Sequence, residues 1–493
     1  MKILLVYPEY PDTFWSFKHA LKFINKKAVS PPLGLITIAS MFPKKWETKL
    51  VDMNIESLKN QEIQWADYIF ISAMNVQSKS VNEIVQRCKS YNKKIVAGGP
   101  LFSEEYDSYS EIDHFVLNEA ELTFPEFISD FNNKTLKRVY KTTDFADLSL
   151  TPIPKYSLLK KSKYNSLNIQ YTRGCPFNCD FCNITTLLGY KVRSKSSQQI
   201  INELQSIYNT GWRKDVFFVD DNFIGNKREL KKDLLPKIIQ WMEEKNHPFS
   251  FTTEASVNLA DDPELMRSMV MAGFSTVFIG IETTNENALA DCGKMQNKNR
   301  DLLESVKTIQ SYGIEVTGGF IVGFDNDTKS VFQDQIDFIQ ESGIISAMVG
   351  LLNAPKKTKL FKRLYNEGRI SNNISGDNTD FSLNFIPKMD INDLLSGYKK
   401  IISGIYSAKP FYKRVKSYIK RFEPTIKHKQ KISFTLIIAF VKSILILGIY
   451  DKSRLYYWEL LFWSIFKKPK LLAQALTYSV YGYHFRKVFK DVI

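Results

Sequence analysis

Several things are scarce in this 493-residue sequence, and each absence excludes something. Five cysteines are too few for a disulfide scaffold, which points to a reducing compartment and a cytoplasmic protein. After Met1-Lys2 the apolar run Ile3–Tyr7 stops at Pro8-Glu9 with no small-residue cleavage site, so no secretory leader is expected. No Gly-x-Gly-x-x-Gly follows that run, which weakens a dinucleotide-binding reading. The cysteines do not form two C-x2-C pairs, as a zinc ribbon would require. Short-period repeats and low-complexity tracts are missing as well. Acidic residues are scarce in one region only. Residues 401–493 carry 18 Lys and Arg against Glu423, Asp451, Glu459 and Asp491, a net of +14 out of the chain's +15. The first 400 residues are therefore almost neutral, so the basic balance belongs to a tail. It is not evidence for nucleic-acid binding, for which no motif appears.

What is present reads as an α/β chain of about three domains. Lys2–Tyr7, Glu47–Asp52, Tyr68–Ala73, Lys94–Ala97 and His114–Leu117 are short apolar runs separated by helical patterns such as Ser80–Tyr91, which predicts a doubly wound parallel sheet over residues 1–130. Ligands of such sheets sit outside the carboxyl ends of the strands, where this chain has Met74-Asn75 and Gly98-Gly99. Residues 131–165, with Pro152 and Pro154, read as a connector. Residues 166–372 hold six more apolar runs, at Leu167–Tyr171, Val216–Val219, Phe249–Thr253, Thr276–Gly280, Val316–Val322 and Met348–Leu352. With intervening helices such as Ser197–Tyr208 and Arg300–Tyr312, they suit a partial (β/α)6 or a full β/α barrel. Residues 373–493 read as a basic helical domain rich in Tyr, Phe and Trp.

The sharpest local signal is Cys175-Pro-Phe-Asn-Cys179-Asp-Phe-Cys182, directly after the first barrel strand. C-x3-C-x2-C wraps a short loop around one inorganic centre, and three thiolates suit a soft metal or an iron–sulfur cluster with one open position. Cys88, on a predicted helix, reads as a packing residue; Cys292 reads as structural, although it follows the Glu282 strand closely.

These residues resemble the radical S-adenosylmethionine (SAM) superfamily. The resemblance implies a [4Fe-4S] cluster on Cys175, Cys179 and Cys182, with the open iron binding SAM and cleaving it to a deoxyadenosyl radical. It places Phe181 beside the adenine and Asp220-Asp221-Asn222 at the methionine amino group, where Asp-Asp-Asn departs from the usual Gly-Gly-Glu. Glu254, Ser256 and Glu282, at the next strand ends, would bind the ribose, and Gly318–Phe324 resembles the segment that packs on adenine. A Rossmann-like domain ahead of the barrel is similar to the cobalamin-binding class, which implies cobalamin held near Met74, Asn75, Gly98 and Gly99. The Asp-x-His-x-x-Gly motif that supplies a histidine ligand is absent, and His19 and His114 read as surface or core residues. Where relatives carry Gly-Glu-x-Glu this chain has Asn118-Glu119-Ala120-Glu121, and Asn tolerates the left-handed backbone that Gly would adopt.

Pro31–Leu35 and Val219–Asn226 narrow the similarity to the hopanoid methylase branch. That implies radical methylation of an unactivated carbon with methylcobalamin as donor, on a hydrophobic, hopanoid-like substrate, with flavodoxin or ferredoxin as electron donor. Radical cyclisation or rearrangement without methyl transfer is an alternative, and a non-catalytic sensor is another. In the tail, residues 433–450 form an apolar run interrupted by Lys442. A central Lys costs about 2.5–3.5 kcal/mol in a membrane span, so a buried or interfacial helix fits better than a spanning one. Trp458, Trp463, Phe466, Lys467, Lys468 and Lys470 suit peripheral association through residues 401–493 with the inner membrane face; a soluble helical cap over the barrel is the alternative.

Overall fold

The structure, a computed structural model, describes residues 1–371, 375–377, 379–423 and 434–493. The expected domain boundary at 372/373 and the first residue of the apolar run, Ser433, lie outside the described residues.

The first sheet has strands β1 (Lys2–Tyr7), β2 (Glu47–Asp52), β3 (Tyr68–Ser72), β4 (Lys94–Gly98), β5 (His114–Val116) and β6 (Val139–Tyr140). They run parallel in the order β2-β1-β3-β4-β5-β6. Alternate residues serve opposite faces: Leu4, Val6, Ile69 and Ile71 enter one core, and Ile3, Leu5, Phe70 and Val96 the other. Helices cover both faces, so the strands read as unbroken apolar runs rather than alternating ones. Strand order reverses beside β1, and the crevice outside the strand ends is where such sheets take ligands. The sixth strand lies inside the segment read from sequence as a connector; Phe115 and Val116 pair with Val139 and Tyr140, and the sheet continues past residue 130.

The second sheet comprises β7 (Leu167–Ile169), then, after the short antiparallel pair β8 (Thr172–Arg173) and β9 (Arg193–Ser194), β10 (Asp215–Phe218), β11 (Ser250–Glu254), β12 (Phe274–Glu282), β13 (Glu315–Val322) and β14 (Ala347–Leu351). The six long strands are parallel in sequential order, and among the described residues β14 does not pair with β7. The barrel is thus the partial, six-stranded form.

Helices Ile391–Tyr406, Ala408–Arg421, Phe434–Ser443, Arg454–Lys467 and Leu472–Val488 form the C-terminal part. They cover the open edge at β14: the Tyr398 hydroxyl donates to the Val349 carbonyl at 2.9 Å, and that of Tyr406 donates to the Ala347 carbonyl at 2.7 Å. An edge strand covered in this way cannot recruit another chain. No helix among the described residues is long and apolar enough to cross a membrane. Lys442, midway along the apolar run, instead donates to the Lys22 carbonyl and to Asn25 Oδ1, at 2.8 and 2.6 Å.

Candidate active site

The cysteine loop leaves β8 through Gly174, whose φ of 91° is left-handed and whose Cβ position lies 2.6 Å from the Lys191 carbonyl oxygen, so only glycine fits. Cys175 N donates to Gly189 O (3.2 Å), Cys182 N to Cys179 O (3.2 Å), and Asp180 N to the carbonyl of Cys292 (2.8 Å). Cys292 thus contributes its backbone, and its side chain is buried, as is that of Cys88. Cys175, Cys179 and Cys182 are half-buried and unbridged. Burial pushes all three thiols up, Cys182 to about 12, so a cationic centre is needed to hold them as thiolates. Three soft donors on one eight-residue loop fit an iron–sulfur cluster with one open iron.

The strand ends beyond this loop carry the acids. Asp220 is fully buried, and its two oxygens accept from the amides of Tyr171 and Thr172 and from the Thr172 hydroxyl. Those bonds tie β10 to the strand that launches the cysteine loop, so Asp220 braces the site from behind. Asn222 Oδ1 accepts from Ser256 N at 3.2 Å and Ser256 Oγ at 3.3 Å, coupling the second and third strand ends. Burial raises Asp221 to about 6, helped by Asp220, and raises Glu254 to about 8, helped by Asp221 and Asp220. At neutral pH Glu254 is therefore a neutral acid able to donate as well as accept a hydrogen bond. Phe181 meets Phe324 edge-on, ring centres 6.2 Å apart, which joins the cysteine loop to the fifth strand end.

Glu282 ends β12 with φ 64°, unusual for a residue with a side chain and held by a register shift after Gly280. Its carboxylate accepts from Lys294 Nζ at 2.7 Å. Burial would lower Lys294, but Glu282 and Cys179 outweigh it and hold the amine charged. Gln296, two residues on, donates from Nε2 to Cys179 Sγ at 3.8 Å, while its Oε1 is buried without a partner. Neither Lys294 nor Gln296 stood out in the sequence; the only hint was their place just after Cys292.

On the first domain, Gly98 and Gly99 are explained by packing: a Cβ at Gly98 would lie 2.6 Å from Val116 O, and Gly99 has φ 93° against Ser72 and Ala73. Met74 is exposed and receives the Tyr10 hydroxyl at its sulfur (3.3 Å). Asn75 donates to Glu104 at 2.8 Å, and Asn183, next to Cys182, donates to the other Glu104 oxygen at 2.9 Å. One carboxylate therefore joins the strand-end loop of the first sheet to the cysteine loop. Asn75 Oδ1 is buried with no partner, an acceptor left over for a polar ligand such as cobalamin. An interdomain cavity of about 680 Å³ opens nearby, lined by Glu104, Asn118, Glu119, Thr186, Leu187 and Lys356 among others. Asn118 has φ 62°, as expected for a residue standing in for glycine.

Compared with known proteins, residues 169–339 match the radical SAM superfamily, and residues 358–493 match a domain of unknown function. Hopanoid C-2 methylase of Rhodopseudomonas palustris is 36% identical over 84% of this chain and 78% of its own length. The chain belongs to the radical SAM family of the hopanoid C-2 methylase. An uncharacterized methyltransferase of Synechocystis is also 36% identical to this radical SAM protein, covering all of it and 92% of the relative. Bacteriochlorophyllide d C-12(1)-methyltransferase of Chlorobaculum tepidum is 25% identical over 80% of this chain and 86% of its own. In fold, this radical SAM protein superposes on the cobalamin-dependent SAM radical enzyme OxsB (TM-score 0.64, 14% identity, 100% of this chain and 79% of that one). It also superposes on the radical SAM methyltransferase TsrM of Kitasatospora setae (TM-score 0.62, 12% identity, 99% of both).

Proposed function

We propose that this radical SAM protein is a cobalamin-dependent C-methyltransferase that acts on an unactivated carbon of a hydrophobic, lipid-like substrate. The observation that carries the reading is the junction at Glu104. There the strand-end loop of the first sheet and the cysteine loop hydrogen-bond to one carboxylate, which supports a shared site for the two cofactors.

Cys175, Cys179 and Cys182 would hold the [4Fe-4S] cluster. Asp221, Asn222, Glu254, Ser256, Glu282 and Phe181 would hold SAM, and the loops at Met74-Asn75 and Gly98-Gly99 would hold cobalamin. When bound, the cluster supplies the electron that cleaves SAM and cobalamin carries the methyl group, because a carbon with no acidity or lone pair needs a radical route. The chain's own groups orient and shield. Asn222 and Ser256 fix the second and third strand ends relative to each other. Lys294 holds the Glu282 carboxylate in place beside the cysteine loop through an ion pair of 2.7 Å. Reduction would come from flavodoxin or ferredoxin.

The test is anaerobic reconstitution with iron, sulfide and cobalamin. Deoxyadenosine from SAM is expected, together with a product heavier by one methylene. Product of unchanged mass would replace methyl transfer with rearrangement or cyclisation, and no deoxyadenosine would sink the reading.

The C-terminal part supports a meeting point with the membrane. Tyr450, Leu455, Phe462 and Phe466 are each at least half exposed, and Lys452, Arg454, Lys467 and Lys470 are exposed among them. Aromatic and aliphatic groups interspersed with cations suit the anionic inner face of a bilayer, from which a lipid substrate would be drawn. Flotation with anionic vesicles is expected at low salt and should fail with Leu455→Asp/Phe466→Asp. Absence of wild-type flotation would leave the helices as a soluble cap.

A further inference from the structure

Five histidines occur in the chain, and two of them converge with an aspartate, all three outside the cysteine-loop segment. Asp12 and His19 lie on the segment after β1; His484 lies on the last helix, more than 460 residues away. Each offers one ligand atom, and the three atoms lie within 4.8 Å of one another. We propose that Asp12, His19 and His484 bind one divalent transition-series cation that fastens the last helix to the first domain.

Three observations carry this. Two imidazoles and one carboxylate are the donor set that suits zinc and its neighbours, which take nitrogen and oxygen ligands at about 2.0–2.2 Å. A cation at that range of three donors needs them a few ångströms apart, and Asp12 Oδ2 and His19 Nε2 already lie at 2.6 Å, close enough for a small outward turn of His19 to admit an ion. Second, His484 is fully buried and uses Nε2 on the Phe14 carbonyl at 3.0 Å. A ring nitrogen committed to a backbone carbonyl fixes the tautomer and turns the other nitrogen into a lone-pair donor, which is how metal-binding histidines are oriented. Third, that other nitrogen, Nδ1, is buried and has no partner. A buried acceptor left unpaired in a native fold asks for an explanation, and a cation supplies one. Ser16 Oγ donates to Asp12 Oδ1 at 3.1 Å, leaving Oδ2 for the ion.

The site is placed to matter for the barrel. Between Asp12 and His19 lies Trp15, whose ring meets Phe278 of β12 edge-on at 5.6 Å and whose indole N–H donates to Met348 of β14 at 3.0 Å. Phe14 stacks on Phe485 of the last helix at 4.4 Å. Closing the three ligands on a cation would order this segment against the barrel strands.

The experiment uses the untagged full-length holoprotein, its cluster cysteines already loaded with iron and sulfide. Zn²⁺ is added in equilibrium dialysis, and bound zinc, iron content and Tm are measured. One equivalent of zinc with an upward shift in Tm is expected. His19→Ala and Asp12→Asn, both outside the core, should weaken zinc at least tenfold and abolish the shift, with iron unchanged. His484→Gln should do the same where it folds. No stoichiometric zinc in the wild type, or the same binding and Tm shift in His19→Ala, overturns the proposal and leaves a plain His–Asp hydrogen bond.

Discussion

Arg173 lays both terminal guanidinium nitrogens on the carboxylate of Glu121, at 3.0 and 2.8 Å, across the boundary between the two sheets. Arg193 does the same to Glu119 at 2.8 and 2.6 Å. The two arginines are the paired residues of β8 and β9, which flank the cysteine loop, and the two acids follow Asn118 on the first domain. The first domain is thereby keyed, through two bidentate pairs, to the ribbon that carries the cluster ligands.

Glu121→Gln should be costly on two counts. Arg173, its side chain 13% exposed, would lose half its partner, and breaking a buried pair costs about 3–5 kcal/mol; that exposure and Glu119, 3.6 Å away, hold the loss near or below the lower end. Burial would raise Glu121, but Arg173 outweighs it and holds the acid at about 2 against an ordinary 4.5. The pair's contribution is therefore complete above about pH 4.5 and fades as pH falls towards 2. Denaturation curves from pH 7 down to pH 3 should show wild type converging on Glu121→Gln, and iron per chain should fall in the variant. Curves that stay equally far apart would refute the role.

Gly280→Ala separates folding from the site. A Cβ there would collide with Glu282 Oε1 and lie 2.8 Å from Lys294 Nζ, the far ends of two flexible side chains and not backbone. Stability should change by less than about 1 kcal/mol, because both side chains can swing away. SAM affinity, measured by titration calorimetry on the cluster-loaded protein, should drop at least tenfold. Unchanged affinity would remove Glu282 from the SAM site.

Much of this was legible in the sequence because buried parallel strands announce themselves as short apolar runs. β1 and β2 begin and end where those runs do, and the other long strands lie within two residues of theirs. Asn118 was legible for a local reason, its tolerance of positive φ. What stayed hidden depends on pairs distant in sequence. Lys294 gains meaning only beside Glu282, Arg173 only beside Glu121, and Glu104 only between Asn75 and Asn183. Asp220 shows the converse. Its position at a strand end suggested a cofactor contact, yet three donors from Tyr171 and Thr172 turn it inward. β6, two residues long, is too short for any periodicity to mark.

Gln296→Leu tests the electronics of the cluster site. The Gln296 amide points at Cys179 Sγ, and a hydrogen bond to a cluster sulfur favours the reduced, more electron-rich state. Removing it should make the midpoint potential of the reconstituted protein more negative, with cluster content intact. An unchanged potential, read by titration of the visible absorption, would mean that the contact does not persist once the cluster is bound.

Glu254→Gln should reverse a pH dependence. Burial, with Asp221 and Asp220 adding to it, raises this acid to about 8, whereas in the unfolded chain it titrates near 4.5. Between those values the folded protein keeps a proton that the unfolded chain has released, so stability falls as pH rises, by at most about 1.4 kcal/mol per unit. Glutamine, neutral throughout, carries no such penalty. The ligand-free variant should be more stable than wild type at pH 8, and the gap should narrow as pH falls to 5. The same substitution should weaken SAM binding, because a site that holds an acid at such a cost to the empty fold uses it on the ligand. Parallel stability curves, or SAM affinity equal to wild type, would show that Glu254 is merely buried.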